Sequence, residues 1–286
     1  MDIIITAQIE QLIKSALEED IGAGDLTTLS TVPPEARGKG LFRAKRDCVV
    51  AGLFLLERIF SLLDAKVRVH CLCRDGDQVG KGTVVAEAEG AVRALLMGER
   101  TALNFLQRLS GTATLSRRYV EAVKNFPCKI IDTRKTTPGL RTLEKYAVRM
   151  GGGTNHRLGL YDAALVKDNH IAASGSISQA VKNVRRHAPF MARVEVEAAD
   201  LKQVQEALDA GADVIMLDNM GTKEMAEAVR LINKRAWVEA SGGITIERLR
   251  EVAEAGVDFI SVGALTHSAP AVDFNMKIAA SSVSRG

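Results

Sequence analysis

Residues 193–219 read RVEVEAADLKQVQEALDAGADVIMLDN, and this stretch shows the pattern that decides the fold. Two short apolar runs of strand length stand on either side of a segment in which apolar residues recur at helical spacing. A strand, a helix and a second strand in this order predict two parallel strands, because the helix serves as the crossover between them.

The same alternation extends over residues 129–265. The strand-like runs are KIIDTRK, AALVKDN, RVEVEA, DVIMLDN, WVEASGG and FISVGAL. The helical patterns between them include LRTLEKYAVRM, ISQAVKNVRRHA, LKQVQEALDAG, TKEMAEAVRLINK and TIERLREVAEAG. Successive β/α units with one helical layer predict a parallel sheet that curls into a barrel. A doubly wound open sheet is the alternative, but no GxGxxG motif opens the first crossover, so that fold lacks its commonest sequence signal.

The first part of the chain shows a mixed pattern. An amphipathic first helix is indicated by the apolar residues Ile9, Leu12, Ile13, Ala16 and Leu17. Further along the chain come strand-like GLFRAKRDCVVAG, helical LFLLERIFSLLDA, strand-like KVRVHCLC and the glycine-punctuated RDGDQVGKGTVVAEAEG. These segments predict an α+β unit ahead of the barrel.

Composition narrows the class of protein. The chain has 286 residues and a net charge of only +3, so an anion site must come from local clustering of cations. No stretch approaches the roughly 20 apolar residues of a membrane helix. The N-terminus lacks the charged start and apolar centre of a secretory signal, and we expect a cytoplasmic protein. The four cysteines lack CxxC spacing, which predicts buried thiols rather than a zinc site.

The predicted strand ends carry an unusual set of residues. In β/α barrels the active site lies at the C-terminal ends of the strands. The residues expected there are Arg134 and Lys135, Lys167 and Asp168, Glu197, Asp218, Glu239 followed by Ser241, Gly242 and Gly243, and Gly263. Any one charge could belong to a structural ion pair. Charges and glycines at all six strand ends together favour a binding site.

The cations point to a polyanionic substrate. The stretch DTRKTTPG at 132–139 is followed by HRLGLYDAALVKDNH, which adds His156, Arg157, Lys167 and His170. Arginine pairs with carboxylate or phosphate through its planar fork, and lysine adds a compact charge. The stretch SGGIT at 241–245 suits a phosphate, with Thr245 expected to cap the following helix, although an ordinary tight turn is the alternative.

The acids point to a second function at the same rim. Glu197 and Asp218 follow neighbouring strands. Two carboxylates in this position suit a magnesium ion, or the hydroxyls and the developing positive charge of a ribose ring.

These stretches together resemble the quinolinate phosphoribosyltransferase family. The similarity includes DTRKTTPGLRTLEKYAVRMGGGTNHRLGLYDAALVKDNHI at 132–171, GERTALNFLQRLSGTAT at 98–114, VEVEAADL, IMLDN, EASGGI and VGALTHS, in the family's order. It implies transfer of a phosphoribosyl group from phosphoribosyl pyrophosphate to quinolinate with decarboxylation. The products are nicotinate mononucleotide, pyrophosphate and CO2, in de novo NAD biosynthesis.

The resemblance also implies an architecture. An N-terminal α/β sandwich domain is expected over residues 1–112, joined by the C-terminal segment 270–286. An incomplete, about six-stranded α/β barrel is expected over residues 113–269. A homodimer that shares its active sites across the interface is implied, with assembly into hexamers left open, and neither nucleic acid nor a membrane is an expected partner.

Site residues follow from the same resemblance, position by position. Those expected to bind quinolinate are Arg134, Lys135, His156, Arg157 and Lys167, with Arg100 donated by the neighbouring subunit. Those expected to bind phosphoribosyl pyrophosphate are Lys135, Lys167, Glu197 and Asp218, with Ser241, Gly242, Gly243, Gly263 and Ala264 around the 5-phosphate. Thr133 is counted with the substrate-binding residues. The catalytic set is Lys135, Glu197 and Asp218, and the last two hold Mg2+ directly or through water.

Two other functions stay open at this stage. One is a related phosphoribosyltransferase-like enzyme that acts on a different ring. The other is a non-catalytic protein that binds a phosphometabolite on the same scaffold. Simple anion binding has no need of Glu197 and Asp218, which favours an enzyme.

Overall fold

A computed structural model describes residues 5–280 of the chain, which divide into two compact units. Within the described range, the first unit comprises residues 5–115, 149–152 and 269–280, and the second comprises residues 116–148 and 153–268. Residues 1–4 and 281–286, at the two ends of the predicted N-terminal domain and its C-terminal segment, lie outside the described residues. No helix in the described range combines the length and the apolar character needed to cross a bilayer.

The first unit contains a four-stranded antiparallel sheet whose strands lie side by side in the order Phe274–Ala280, Arg37–Ala44, Val84–Ala91 and Arg68–Cys71. Its helices and strands up to residue 91 are α1 (Ala7–Ile21), α2 (Leu26–Thr31), β1 (Arg37–Ala44), β2 (Cys48–Val49), α3 (Leu53–Leu63), β3 (Arg68–Cys71), β4 (Gln78–Val79) and β5 (Val84–Ala91). The long helix α4 (Val92–Ala122) follows. The predicted first helix is confirmed by α1.

The core of the first unit lies where α3 packs on the sheet. Buried and partly buried residues alternate along β1, as expected for a strand with one covered face. The ring of Phe42 meets Phe60 of α3 edge-on, with ring centroids 6.1 Å apart. On the outer side, Arg58 of α3 donates to Glu10 of α1.

The second unit contains a six-stranded parallel sheet in the order β6-β11-β10-β9-β8-β7. Its elements are β6 (Lys129–Ile131), α5 (Arg141–Met150), β7 (Ala164–Val166), α6 (Asp168–Ser174), α7 (Ile177–His187), β8 (Val194–Ala198), α8 (Leu201–Asp209), β9 (Val214–Asp218), α9 (Thr222–Ile232), β10 (Trp237–Ser241), α10 (Leu249–Glu254), β11 (Phe259–Ser261) and α11 (Ala264–His267). The strand β12 (Phe274–Ala280) completes the chain's elements in the first unit.

This strand order identifies the fold as an incomplete barrel. Each strand from β7 to β11 pairs with its neighbour in sequence, and the first strand, β6, pairs with the last, β11. A doubly wound sheet would reverse direction in the middle of its order. The predicted combination of an α/β sandwich and an incomplete α/β barrel is confirmed.

Local sequence explains the β/α units of the barrel. Along β8, Val194 and Val196 are fully buried, whereas Glu195 and Glu197 point to the opposite side of the strand. The helix that follows is capped by Asp200, whose side chain accepts a hydrogen bond from the N–H of Gln203 at 2.8 Å. In this β/α unit, the alternation of residue types thus explains the strand, and the N-cap explains where the helix begins.

Three expectations about local structure are wrong. Strand β10 continues to Ser241, so Glu239 lies inside the strand rather than at its end. Helix α10 begins at Leu249 with Arg248 as its N-cap residue, so Thr245 does not cap it. Of the cysteines, Cys48 and Cys128 are buried as predicted, but Cys71 is exposed.

Candidate active site

A cavity of about 410 Å3 lies at the C-terminal ends of the barrel strands. It is lined by eleven residues that the family resemblance predicted for the site: Thr133, Arg134, Lys135, His156, Arg157, Lys167, Glu197, Asp218, Ser241, Gly242 and Gly243. Leu165, Met216, Asn219, Glu239 and Ser261 also line it. One cavity therefore brings together cations, carboxylates and a glycine turn from several strands.

Three other predicted residues, Gly263, Ala264 and Arg100, are not among those that line this cavity. Gly263 is the N-cap residue of α11, which begins at Ala264, and neither is among the residues that line the cavity. A Cβ on Gly263 would come within 3.1 Å of Cδ of Lys135, so this glycine leaves room for the lysine. Arg100 is an exposed residue of α4 in the first unit.

The inward-facing side chains of the barrel form two layers. Lys167, Glu197, Asp218 and Ser241 stand at or just beyond the ends of their strands. Two residues earlier, on the same side of each strand, are Leu165, Glu195, Met216 and Glu239. The upper layer was predicted from the strand ends, whereas in the lower layer only Glu239 was predicted, and as a strand-end residue.

Arg134 and Arg157 give the cavity a concentrated positive charge. Burial, and next the charge of Arg134, lower the pKa of Arg157. The guanidinium of Arg157 donates to the backbone oxygen of Ala163 at 3.1 Å. The Nε of Arg134 is buried and has no hydrogen-bond partner within residues 5–280. Two neighbouring cations, one with an unpaired buried donor, suit an anion with more than one charge.

The backbone of Lys135 is held by its neighbours. Its N–H donates to Oγ1 of Thr133 at 3.0 Å, and its carbonyl oxygen accepts from Oγ1 of the buried Thr266 at 2.7 Å. The side chain of Lys135 is exposed, which leaves its charge available at the rim.

Glu197 and Asp218 form the acidic side of the cavity. Burial raises the pKa of Glu197, and the nearby negative charge of Asp218 raises it further. The nearest cation is Lys167, whose Nζ lies 3.8 Å from Oε2 of Glu197. The carboxylate of Asp218 accepts from Nδ2 of Asn219 at 2.7 Å. Like charges held close together favour binding of a cation between them.

The residues present fit magnesium. Mg2+ takes oxygen ligands and usually keeps several waters, so one or two carboxylates at an accessible rim suffice. Glu197 and Asp218 supply such oxygens, and both are only partly buried. The charge of a bound cation would relieve the repulsion that raises the pKa of Glu197.

The turn after β10 requires glycine for two reasons. A Cβ on Gly242 would lie 2.2 Å from Oδ1 of Asn219, so only glycine fits there. Gly243 has φ +56, in the left-handed region, with open space around it. Asn219 itself has φ 54, which is a strained conformation for a residue with a side chain. The turn thus keeps its backbone close to Asp218 and open to the cavity.

Asp132 is used inside the protein rather than for a ligand. It is fully buried and forms an ion pair with Lys145 of α5. It also accepts from Nδ2 of Asn155 at 2.5 Å and from the N–H of His156 at 2.9 Å. This network anchors the segment around His156 to the end of β6.

His156 contacts two carboxylates of the lower layer. Its Nε2 is 2.9 Å from Oε2 of Glu195 and 3.3 Å from Oε2 of Glu239. Burial opposes protonation of His156, but the bonds to Glu195 and Glu239 outweigh it and raise its pKa. Burial raises the pKa of Glu239. The raised pKa would favour a second proton on Nδ1, but Nδ1 of His156 accepts from the N–H of Arg157 at 2.7 Å, which a protonated nitrogen could not do. This contact decides the assignment: the ring is neutral and its proton is on Nε2.

Sequence reasoning missed Lys145 and Glu195 at this site, and it placed Glu239 at a strand end rather than in the lower layer. A rule based on strand ends does not include Glu195, which lies two residues before Glu197 in VEVEA and therefore shares its side of the strand. A strand-interior carboxylate in an otherwise apolar run was the available signal, because such a group is rarely buried without a partner.

The chain matches models of both domains of one family. The N-terminal domain of quinolinate phosphoribosyl transferase matches residues 25–110, and the C-terminal domain matches residues 112–277. These two matches agree with the resemblance seen in the sequence motifs.

Similar proteins cover nearly the whole chain. A probable nicotinate-nucleotide pyrophosphorylase [carboxylating] from Synechocystis sp. is 48% identical, over 94% of this chain and 92% of the relative. One from Bacillus subtilis is 47% identical, over 97% and 96%. The crystal structure of NadC from Streptococcus pyogenes superimposes with a TM-score of 0.94 at 44% identity, over 98% of this chain and 99% of that one. The chain therefore belongs to the quinolinate phosphoribosyl transferase family.

Proposed function

We propose that the protein transfers the phosphoribosyl group of phosphoribosyl pyrophosphate to quinolinate and releases pyrophosphate and CO2, which leaves nicotinate mononucleotide. The observation that carries this proposal is the charge arrangement of the cavity. Arg134, with its unpaired buried Nε, and Arg157 lie in the same cavity as Glu197 and Asp218. The basic side of such a cavity suits a dianion, and the acidic side suits a ribose that becomes positive during the reaction.

Quinolinate would bind on the basic side. It carries two carboxylates on adjacent ring carbons, and two arginines can each pair with one of them through a planar fork. Arg134 and Arg157 suit that role because each lowers the cost of burying the dianion. Lys135 and Lys167, exposed at the rim, add charge for the substrates' outer oxygens. Thr133 accepts the N–H of Lys135 and so fixes the backbone of this lysine on the basic side.

Phosphoribosyl pyrophosphate would bind on the acidic side. Ser241, Gly242 and Gly243 would surround its 5-phosphate, together with Gly263 and Ala264 of the neighbouring strand end. Glu197 and Asp218 would hold the ribose hydroxyls and stabilise the oxocarbenium character that develops as pyrophosphate leaves. When bound by these acids, Mg2+ would supply positive charge to the pyrophosphate leaving group.

The proposed reaction has two chemical steps. First, the ring nitrogen of quinolinate forms a bond to C1 of the ribose while the bond to pyrophosphate breaks. The nitrogen then carries a positive charge. Next, the bond between C2 of the ring and its carboxylate breaks, CO2 leaves, and the electron pair stays on C2, where the neighbouring positive nitrogen stabilises it. A proton then replaces the lost carboxylate, so no organic cofactor is required as an electron sink.

The active form is proposed to be a cytoplasmic homodimer. Arg100 is exposed on α4, and we propose that it supplies a further quinolinate-binding cation to the barrel of the neighbouring subunit. Support comes from the family resemblance of the segment at 98–114. Assembly beyond the dimer stays open.

The test is a reaction with purified protein, quinolinate carboxyl-labelled at the 2-position, phosphoribosyl pyrophosphate and Mg2+. We expect equal amounts of labelled CO2, pyrophosphate and nicotinate mononucleotide. Nicotinate in place of quinolinate serves as the control for a different ring. Pyrophosphate release with nicotinate and not with quinolinate would overturn the proposal, as would binding of both substrates without turnover.

A further inference from the structure

The imidazole of His156 is bound by the protein at both nitrogens. Its Nε2 contacts Glu195 and Glu239 at 2.9 and 3.3 Å, and its Nδ1 accepts from the N–H of Arg157 at 2.7 Å. The side chains of Glu195 and Glu239 are 7% and 2% exposed. Every hydrogen-bonding atom of the ring is therefore used before any substrate arrives.

This geometry identifies the cluster as a hydrogen-bonded clamp rather than a metal site. His156, Glu195 and Glu239 lie close enough together to suggest shared coordination of a cation. A neutral histidine that binds a metal through Nε2 must carry its proton on Nδ1. Here Nδ1 accepts an N–H, so the proton is on Nε2 and points at the two carboxylates.

The backbone of the same residue is held as firmly as its ring. The N–H of His156 donates to Oδ1 of Asp132 at 2.9 Å, and its carbonyl oxygen accepts from Nζ of Lys145 at 3.1 Å. The next residue is Arg157, whose own N–H is bound by the ring. Whatever orients the ring of His156 thus also orients the backbone from which the Arg157 guanidinium extends.

We propose that Glu195 and Glu239 are positioning residues that fix the His156 ring, which in turn fixes Arg157 for a carboxylate of the substrate. The inference rests on the proposed function for the identity of that substrate. It assigns His156 a different role from the one implied by the family resemblance, because the ring offers no free nitrogen to quinolinate.

The energetic cost of the clamp supports a functional role. One N–H needs one acceptor, yet two buried carboxylates contact this ring. Oε1 of Glu195 and Oε1 of Glu239 have no hydrogen-bond partner within the described range. Burial of such oxygens is destabilising, and local violations of this kind concentrate at functional sites. The clamp lowers the stability of the folded protein but holds the ring in one orientation.

The first experiment compares Glu195→Gln with Glu195→Leu, and Glu239→Gln with Glu239→Leu, by steady-state kinetics. The amide oxygen of glutamine accepts the same N–H, whereas leucine has similar volume and no acceptor. We expect the leucine variants to raise KM for quinolinate roughly 10- to 100-fold, since misplacement by about 1 Å costs this much. KM for phosphoribosyl pyrophosphate should stay within about twofold, and the glutamine variants should recover most of the loss.

Three kinetic results would overturn the proposal: an unchanged quinolinate KM in the leucine variants, equal increases in both KM values, or glutamine as damaging as leucine. A second pair keeps the test valid if a leucine variant does not fold. In His156→Asn, Oδ1 takes the place of Nδ1 and still accepts the Arg157 N–H, whereas His156→Leu has no acceptor. We expect His156→Asn to bind quinolinate more tightly than His156→Leu, and equal losses would mean that His156 acts as a cation on the substrate.

The tautomer provides a test that is independent of turnover. Long-range proton–nitrogen NMR correlations of the imidazoles, assigned with His156→Asn, should show the proton of His156 on Nε2 in the protein without substrate. A proton on Nδ1 would overturn the clamp even if the enzyme is active. Conversely, an Nε2 proton in a protein that does not turn over quinolinate would leave the clamp intact and reject only the proposed function.

Discussion

Lys145 of α5 and Asp132 at the end of β6 form an ion pair whose side chains are 2% and 0% exposed. Such a pair is costly to break from one side, because the remaining charge stays buried. We expect Lys145→Met to lower the free energy of unfolding by about 3–5 kcal/mol. Asp132→Asn combined with Lys145→Met should recover part of that loss. Urea denaturation of Lys145→Met, of Asp132→Asn and of the double variant measures the coupling, and simple additivity would contradict it.

Arg157→Ala should weaken quinolinate binding far more than phosphoribosyl pyrophosphate binding. Loss of one partner of a desolvated charge pair costs on the order of 2–5 kcal/mol. Titration calorimetry with each substrate separately measures the two affinities. Arg250→Ala, which removes an exposed arginine paired with Glu254, is the matched control and should change neither affinity. Equal weakening of both substrates by Arg157→Ala would contradict the assignment.

Glu197→Ala and Asp218→Ala should lower turnover while quinolinate affinity stays nearly intact. Interactions made mainly in the transition state affect the rate rather than ground-state binding. Each variant should also need more Mg2+ for half-maximal activity than the wild type, as measured by magnesium titration. Glu254→Gln changes an exposed carboxylate outside the cavity and serves as the control. If quinolinate binding disappears while the fold is preserved, the acids do not belong to the phosphoribosyl side.

Arg100 can be tested by mixing inactive subunits. Arg100→Ala and Lys135→Ala homodimers should each be nearly inactive. In a mixed dimer, the Arg100→Ala subunit keeps an intact barrel and receives a normal Arg100 from its partner, which restores one of two sites. Random reassortment of equal amounts makes about half of the dimers mixed, so activity should recover to about a quarter of wild type. No recovery, with mixing confirmed by native mass spectrometry, would reject the shared site.

The pair Glu10–Arg58 predicts a pH dependence of the first unit. The hydrogen bond from Arg58 lowers the pKa of Glu10 from 4.5 to about 2. A carboxylate with a depressed pKa stabilises the folded state above its unfolded pKa, and the contribution fades as pH falls through the folded value. Arg58→Met should therefore be less stable than wild type at pH 7, with the difference shrinking between about pH 4.5 and 2. A constant difference in melting temperature over that range would contradict the prediction.

Periodicity predicted the barrel well because each of its strands and helices has a strong pattern of its own. The upper layer of the site followed from one rule, that barrel chemistry lies at strand ends. The lower layer did not, because whether Glu195 is paired depends on His156, which lies on a loop 39 positions earlier in the chain.

Other features depended on contacts that the sequence does not display. Lys145 sits in a helix rich in charge and resembles a solvent-facing residue until Asp132 is brought beside it. The start of α10 was misplaced because Thr245 resembles an N-cap, whereas the turn Thr245–Arg248 precedes the helix. Whether such a lysine is paired, and where such a helix begins, thus depend on contacts with neighbouring segments rather than on the local sequence pattern.

The pairing of β12 with β1 constrains how the chain acquires its structure during synthesis. Strand β1 lies between β5 and β12, yet Phe42 in β1 and its partner Met276 in β12 are separated by most of the chain. On the ribosome, β1 therefore remains an uncovered edge while the whole barrel is being translated, and an uncovered edge readily pairs with other chains. The barrel is free to fold first, and the sheet of the first unit closes only when the last strand emerges.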